Sequence, residues 1–272
     1  MQERFYEFHH FYNETPPEVE SHQHSFYEIF FFLSGNVNYV IEGRNYKLRP
    51  GDILLTSSAD LHCSDVHPGK PYERIVIWLA NDFFEYMQYF FDEDFTSCFT
   101  DAAINDHRLV RPDSQSIAQL KQLCIQMSRA KNSGQTGSAA LTTAYLTEFL
   151  VHVSRAYYDA PDSVKQDMTE NGKINQIITY INDHITEELS LDLLSSIFYT
   201  SKYYLGRQFK QFTGLTLYQY IMKKRLISAR NMLKAGSPVM DACLCCGFSD
   251  YSNFLKAFKR EFGQSPSKHS RG

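Results

Sequence analysis

The chain has 272 residues, a formal net charge of −4, 43% hydrophobic and 21% charged residues. That length suits about two domains of roughly 100–200 residues, and the composition excludes collagen-like, low-complexity and wholly disordered chains. No apolar run reaches the roughly 18–20 residues of a membrane-spanning helix, so no membrane partner is expected. The start, MQERFYEFHH, is too polar for a signal peptide, and six cysteines without framework spacing point to the reducing cytoplasm.

Residues 19–80 read as strands. FYEIFFFLSG, VNYVIEGRNYKL, DILLTSS and YERIVIWLA are short β-branched and aromatic runs. Turn signals at Ser34-Gly35, Glu42-Gly43 and Pro50-Gly51 separate them, a spacing that suggests an antiparallel barrel or sandwich. Asn81-Asp82 is positioned to cap a helix through FFEYMQYFF. Ile117, Leu120, Cys124 and Met127 recur at helical spacing, and Leu141 to Tyr158 forms a second run after the loop KNSGQTGS. This helical hairpin either packs on the sheet or forms a dimer seam.

The polar stretch APDSVKQDMTENG reads as an interdomain linker. The expected domains are 1–160, a linker at 161–172, and 173–272. Charge divides across it. Residues 172–272 carry 14 Lys/Arg against 7 Asp/Glu, net +7, which leaves −11 on the rest. One part suits a polyanion and the other repels it, so double-stranded DNA is the first partner to consider.

A weak repeat runs through the basic part. At an offset of 49, Leu191 matches Met240, Asp192 matches Asp241, Phe209 matches Phe258, Lys210 matches Lys259 and Gly214 matches Gly263. Each unit has a short apolar helix, a small turn and a longer helix with basic residues, which is a helix-turn-helix. Leu205, Phe209 and Phe212 form the core stripe of the first longer helix; Phe254, Phe258 and Phe262 form that of the second. Tyr203, Gly206, Arg207 and Lys210 face away in the first, and Ser252, Asn253, Lys256 and Lys259 in the second. Ser201, Lys202 and Tyr251 stand at the starts of these helices, where base edges are met. Leu217 to Ala235 reads as one joining helix of roughly 28 Å, against about 34 Å between successive major grooves on one DNA face.

These residues carry a resemblance. The run LSLDLLSSIFYTSKYYLGRQFKQFTG, then Tyr220, Arg225, Ala229 and Leu233, then GFSDYSNFLKAFKREFGQSP resembles the DNA-binding domain of AraC/XylS-type transcription regulators. It covers about 90 residues, from Ile177 to Pro266. The resemblance implies that Tyr203, Gly206 and Arg207 of the first unit, and Ser252 and Lys256 of the second, stand at base-reading positions. Arg207 suits a bidentate pair with guanine, whereas Lys210 and Lys259 are better placed for phosphates. Gly206, lacking a side chain, implies fewer bases read by the first unit. Two departures concern local packing: His269 stands for the usual aromatic, with Arg271 one place late, and Cys243 stands where the family favours Ala.

In the first part, His22-x-His24-x3-Glu28-x6-Gly35 fits the first motif of cupin barrels, and His62 falls at the second motif's histidine counted from Gly51. Ser57 and Ala59 replace that motif's Pro and Gly. His22 and His24, at i and i+2 on one strand, would share a face. In metal-binding cupins, residues at the positions of His22, His24, Glu28 and His62 hold a divalent metal; their other roles are hydrogen bonds at the barrel mouth or contacts to a polar effector. His22, His24, Glu28, Tyr39, His62 and Trp78 are the candidate effector-lining residues. Aromatics beside hydrogen-bonding groups suit a sugar, and no cofactor is required.

Cys243, Cys245 and Cys246 include a Cys-x-x-Cys without a partner pair or nearby His, and are read as core thiols. The expected fold is therefore multidomain: an N-terminal cupin-like antiparallel β-barrel with a helical hairpin, and a C-terminal all-α domain with two helix-turn-helix units joined by a linker helix. The expected function is a cytoplasmic, homodimeric, effector-controlled DNA-binding regulator, an activator acting with RNA polymerase and not an enzyme. The alternative is a metal-dependent cupin enzyme with a DNA-binding appendage.

Overall fold

Strand β2 (Tyr27–Ser34) lies inside the N-terminal fold, and its sequence YEIFFFLS shows why. Alternate residues point to opposite faces, and here both faces are covered. Phe30 and Phe32 enter one buried cluster with Val37, Tyr39, Ile41, Tyr46, Leu54 and Tyr72. Ile29 and Phe31 enter another, with Phe83, Leu120, Leu146 and Phe149. A strand buried on both sides reads as a continuous apolar run.

The computed structural model describes residues 5–15, 21–58, 60–105, 107–160, 168–169 and 172–269. These fall into two compact units, drawn from residues 1–41 with 45–169 and from 42–44 with 170–272.

In the first unit, β1 (Tyr6–Asn13), β2, β5 (Ile53–Thr56), β7 (Tyr72–Leu79) and β8 (Leu109–Val110) form a five-stranded sheet in the order β1-β7-β2-β5-β8. A second sheet has the order β6-β3-β4-β9, from β6 (His62–Val66), β3 (Val37–Ile41), β4 (Arg44–Lys47) and β9 (Met168–Thr169). The expected antiparallel β domain is thus two facing sheets around an aromatic interior. Helices α1 (Asn81–Phe91), α2 (Ser97–Ile104), α3 (Ser114–Asn132) and α4 (Ser138–Tyr158) cover the outer face of the larger sheet. The α3–α4 hairpin packs there through Leu120, Leu123, Cys124, Met127, Leu146, Phe149, Leu150 and Val153.

Several local expectations change. β1 is a full strand outside the range read as strands, paired with β7 from Tyr6↔Leu79 to Asn13↔Tyr72. Asn81 is the first residue of α1 and not its cap; that place belongs to Ala80, which makes no side-chain capping bond. Within the segment read as linker, Met168 and Thr169 pair with Tyr46 and Asn45, and Gly172 opens a helix. Residues 161–167, 170 and 171, and also Ala59 and Arg271, lie outside the described residues.

The second unit holds α5 (Gly172–Asp183), α6 (Leu191–Ile197), α7 (Lys202–Thr213), α8 (Leu217–Lys234), α9 (Val239–Cys245), α10 (Tyr251–Phe262) and α11 (Pro266–His269). Side-chain caps open α6, α7, α8 and α10. Ser190, Ser201 and Asp250 accept backbone N–H groups at the starts of α6, α7 and α10, and Thr216 with Gln219 forms a reciprocal capping box on α8. Gly214 and Gly263 close α7 and α10 in the left-handed region, which glycine adopts without steric cost.

The repeat is real but not of one period. The second helices start 49 residues apart, at Lys202 and Tyr251, and the first helices 48 apart, at Leu191 and Val239. The turn of the second unit is one residue longer, so Leu191 is equivalent to Val239 and not Met240. Leu205, Phe209, Phe254 and Phe258 are buried as expected, but Phe212 and Phe262 only partly; Thr213 is buried beside Phe212. His269 packs its ring edge-on against Phe258 and Phe262, at 5.4 and 6.0 Å, filling the place of the missing aromatic. Cys243 is buried in the second unit's core with Cys246, while Cys245 is exposed.

Candidate nucleic-acid interface and effector site

In α7 and α10 the buried stripes force the opposite faces outward. On α7, Lys202, Tyr203, Arg207 and Lys210 are exposed and Gly206 is half-buried. On α10, Tyr251, Ser252, Asn253, Lys256 and Lys259 are exposed. Arg207 and Lys256 occupy equivalent places, as do Lys210 and Lys259. None of these four has a recorded hydrogen bond or ion pair among the described residues, so their donors are available to phosphate or base edges. Tyr203 is 80% exposed. Two other candidates are engaged. The Ser201 hydroxyl accepts from Tyr204 N at 3.2 Å as the helix cap, and Lys202 pairs with Asp192.

In the other unit, the interior is organised around one carboxylate. Glu28 lies on the inward face of β2 and is 5% exposed. The Tyr39 hydroxyl donates to its Oε1 at 3.2 Å, and the Trp78 indole N–H donates to Oε2 at 2.7 Å. His24 Nε2 lies 3.3 Å from Oε2, and His62 Nε2 lies 4.0 Å from Oε1. Burial alone would raise the Glu28 carboxyl, but the His24 contact, the neighbouring imidazoles and the Trp78 donor outweigh it and bring it down to about 2. Burial pushes His62 down, against the pull of Glu28, and pushes the Tyr39 hydroxyl well above its ordinary range. Glu28 is thus a buried carboxylate, and burial works against charge on the His62 ring beside it.

The tautomers follow from the backbone. His62 Nδ1 lies 3.0 Å from the Asp60 carbonyl and His24 Nδ1 lies 2.8 Å from the Phe26 carbonyl. A carbonyl only accepts, so both Nδ1 atoms carry hydrogen. The His24 contact that holds Glu28 as a carboxylate needs hydrogen on Nε2 as well, whereas His62, which burial drives toward its neutral form, turns an Nε2 lone pair toward Glu28. The His62 Nε2 atom is buried and has no hydrogen-bond partner among the described residues. A proton or a cation between His62 Nε2 and Glu28 relieves the opposition of lone pairs there. The ligand atoms of His24, Glu28 and His62 all lie within 4.8 Å of one another. Two imidazoles held by carbonyls and one carboxylate are a donor set that suits zinc, iron, nickel or manganese, so these residues fit a divalent metal.

Of the six candidate effector residues, Glu28, Tyr39, His24, His62 and Trp78 converge. His22 stands apart. Its side chain is exposed, its backbone exchanges hydrogen bonds with His62 at 3.0 and 2.9 Å, and its ring centre lies 4.5 Å from that of His62. It does not join the three clustered ligands, because residues 21–26 make only a bridge at His22 and the regular strand starts at Tyr27. The expected i, i+2 strand geometry therefore does not apply. Sequence reading missed Phe26, whose ring stacks on His24 at 3.8 Å and lies 5.1 Å from Trp78. It also missed Asp60, which turns His62 through its carbonyl and holds Arg108 through its carboxylate at 3.1 and 2.9 Å. The spacing of Asp60 two residues before His62 was the available signal.

Two family profiles match different parts of the chain. The profile of the AraC-like ligand binding domain matches residues 5–150, and that of a helix-turn-helix domain matches residues 194–272. The HTH-type transcriptional activator RhaS of Enterobacter sp. (strain 638) is 28% identical over 253 residues, covering 92% of this chain and 87% of the relative. RhaS of Salmonella arizonae is 28% identical over 247 residues, covering 90% and 85%. ToxT from Vibrio cholerae, a solved structure, is 14% identical with a TM-score of 0.38 and covers 98% of each chain. Among the described residues no helix is long and apolar enough to cross a membrane. With an AraC-like ligand-binding domain over more than half its length and a helix-turn-helix domain after it, the chain belongs to the AraC-type transcription regulators.

Proposed function

We propose that this regulator reads a bipartite DNA site with α7 and α10 and is controlled by a small polar effector, a sugar, held around Glu28. The observation that carries the DNA reading is the equivalence of the two exposed faces: each recognition helix buries an apolar stripe and presents a cation at the same two places, Arg207 and Lys210 on one and Lys256 and Lys259 on the other. Arg207, Tyr203, Ser252, Asn253 and Lys256 read bases; Lys210 and Lys259 hold phosphates; Ser201, Lys202 and Tyr251 set the helix starts. The sugar reading rests on Trp78, Tyr39 and Phe26 surrounding a carboxylate and two imidazoles, aromatic faces beside convergent acceptors. The effector acts by favouring one of two arrangements that differ in DNA affinity. The relatives' designation as activators supports activation, and with it contact with RNA polymerase. We assign dimerisation to the exposed side of the α3–α4 hairpin, where Ile125 and Leu141 lie open, the domain limits to 1–160 and 173–272, and the site of action to the cytoplasm.

Selection of the full chain on random duplex DNA at physiological salt tests this. Two half-elements about one helical turn apart are expected, with enrichment that changes when a panel of monosaccharides is added. A folded chain that enriches nothing, with or without sugar, overturns it.

A second reading is favoured by the unpartnered His62 Nε2: a divalent metal held by His24, Glu28 and His62 that supplies a Lewis-acidic point for an effector oxygen. Elemental analysis should then find close to one equivalent of metal in the purified protein, and zinc or manganese should raise its melting temperature. His62→Ala should abolish both. Metal-free protein whose melting ignores added ions excludes this reading and leaves the sugar reading intact.

A further inference from the structure

The joining helix α8 carries a half-buried cation, Arg225, whose guanidinium is taken up by backbone carbonyls. The Arg225 guanidinium donates from Nε to the Ile185 carbonyl at 2.8 Å, from Nη1 to the Gly247 carbonyl at 2.8 Å, and from Nη2 to the Glu187 carbonyl. Ile185 and Glu187 lie in the segment between α5 and α6 that leads into the first helix-turn-helix, ahead of the Ser190 cap. Gly247 lies in the turn between α9 and α10, in the middle of the second. One side chain thus ties the entrance of the first unit and the turn of the second to the helix that joins them.

The fit around it is close. A Cβ on Gly247 would stand 2.7 Å from the Thr186 carbonyl oxygen and 3.0 Å from Arg225 Cζ, and Gly247 has φ +80°. The backbone of the unit-one entrance therefore lies directly against the unit-two turn, with the guanidinium completing the contact. All three acceptors are backbone carbonyls, so the clamp reads chain path and not side-chain identity. A planar guanidinium holds its donors in one fixed fork, which a lysine ammonium on a flexible stem does not reproduce. Burial disfavours the charged guanidinium, so its retention here needs these acceptors.

The geometry bears on recognition. α8 spans about 27 Å, with Leu217, Tyr220 and Ile221 buried in its first half and Leu226, Ala229 and Leu233 packed into the core of the second unit. The segment held at Glu187 leads into α6, against which α7 packs, and α10 follows from the turn held at Gly247. A shift at either carbonyl displaces a recognition helix relative to the other.

We propose that Arg225 is the positioning residue that sets the separation of α7 and α10, and so the half-site spacing the protein accepts, without touching DNA. This rests on the reading that both units contact DNA. Rigid linkage lets the second half-element bind as an intramolecular event, an advantage lost when the geometry is wrong.

The test measures full-chain binding to the selected duplex, to the same duplex with one or two base pairs inserted or removed between half-elements, and to each half-element alone. Wild type should show a steep penalty for altered spacing. Arg225→Lys and Arg225→Met should bind the native spacing about tenfold more weakly, as expected from the loss of one to two net hydrogen bonds. Their spacing penalty should flatten, with half-element affinities unchanged. Arg225→Lys, the milder change, serves if Arg225→Met melts early. A folded variant that keeps the steep wild-type spacing profile overturns the clamp. So does a loss equal on every duplex, half-elements included, which marks a residue needed only for folding. If wild type itself ignores spacing, the two-unit reading fails and the clamp falls with it.

Discussion

Replacing Asp60 with alanine is expected to cost the N-terminal domain about 3–5 kcal/mol, the usual range when one partner of a buried ion pair is removed. Asp60 is 5% exposed and Arg108 is 4% exposed. Two guanidinium N–H groups of Arg108 reach the carboxylate, which also accepts the Ser57 N–H at 2.8 Å. Removing the carboxylate leaves the guanidinium and that N–H short of an acceptor. Replacing both partners with apolar residues of similar size, Asp60→Leu with Arg108→Met, should recover much of the loss, because the desolvation of both charges disappears together. Urea unfolding followed at Trp78, the chain's single tryptophan, measures this, since that indole reports on the Glu28 cluster directly. Equal losses in the single and double variants would mean that the pair is stabilising in its own right. The same aspartate turns His62 through its carbonyl, so Asp60→Ala should also weaken any effector response more than its stability cost explains.

The Asp60–Arg108 pair also shows where reading the chain stops. The two residues stand 48 apart, and no local pattern connects an aspartate in a turn to an arginine beside a two-residue strand. What was legible is what repeats locally: the apolar run of β2, the i, i+4 phenylalanines of α7 and α10, the glycines at their ends. The first motif placed His22, His24 and Glu28 together and the second placed His62; His22 leaves the set because the strand on which it would share a face with His24 does not begin until Tyr27. β1 escaped because its sequence YEFHHFYN mixes histidines with aromatics and gains its strand character by pairing along its whole length with β7. The one-residue difference between the two turns was invisible for a similar reason. Asp192 and Asp241 align in the chain, yet they sit at different positions of the first turns of α6 and α9. Arg225 was visible only as part of a family pattern; its acceptors are carbonyls, which carry no sequence identity.

The two recognition helices should respond differently to loss of a cation. Arg207→Ala should cost about 1–3 kcal/mol at the cognate site, or roughly 5- to 150-fold in affinity, and relax preference at one base pair of the half-element read by α7. A bidentate pair is lost there together with its discrimination. Lys259→Ala should weaken cognate and random duplexes nearly equally and lower the salt slope of binding by about one, because a phosphate contact releases about one counterion. Both side chains are exposed and neither has a recorded partner among the described residues, so neither change should disturb folding by more than about 0.5 kcal/mol. Binding measured against salt, on cognate and single-base-variant duplexes, separates the two. The lysine places its charge one turn further along α10 than the site of direct reading, as Lys210 does along α7. If Arg207→Ala instead behaves like Lys259→Ala, uniform in sequence and with a salt slope lowered by about one, α7 lies across the backbone rather than in the groove. Tyr203, 80% exposed one turn earlier on α7, would then follow it: a Tyr203→Ala loss that is likewise independent of sequence would place the whole first helix on phosphates and leave base reading to α10.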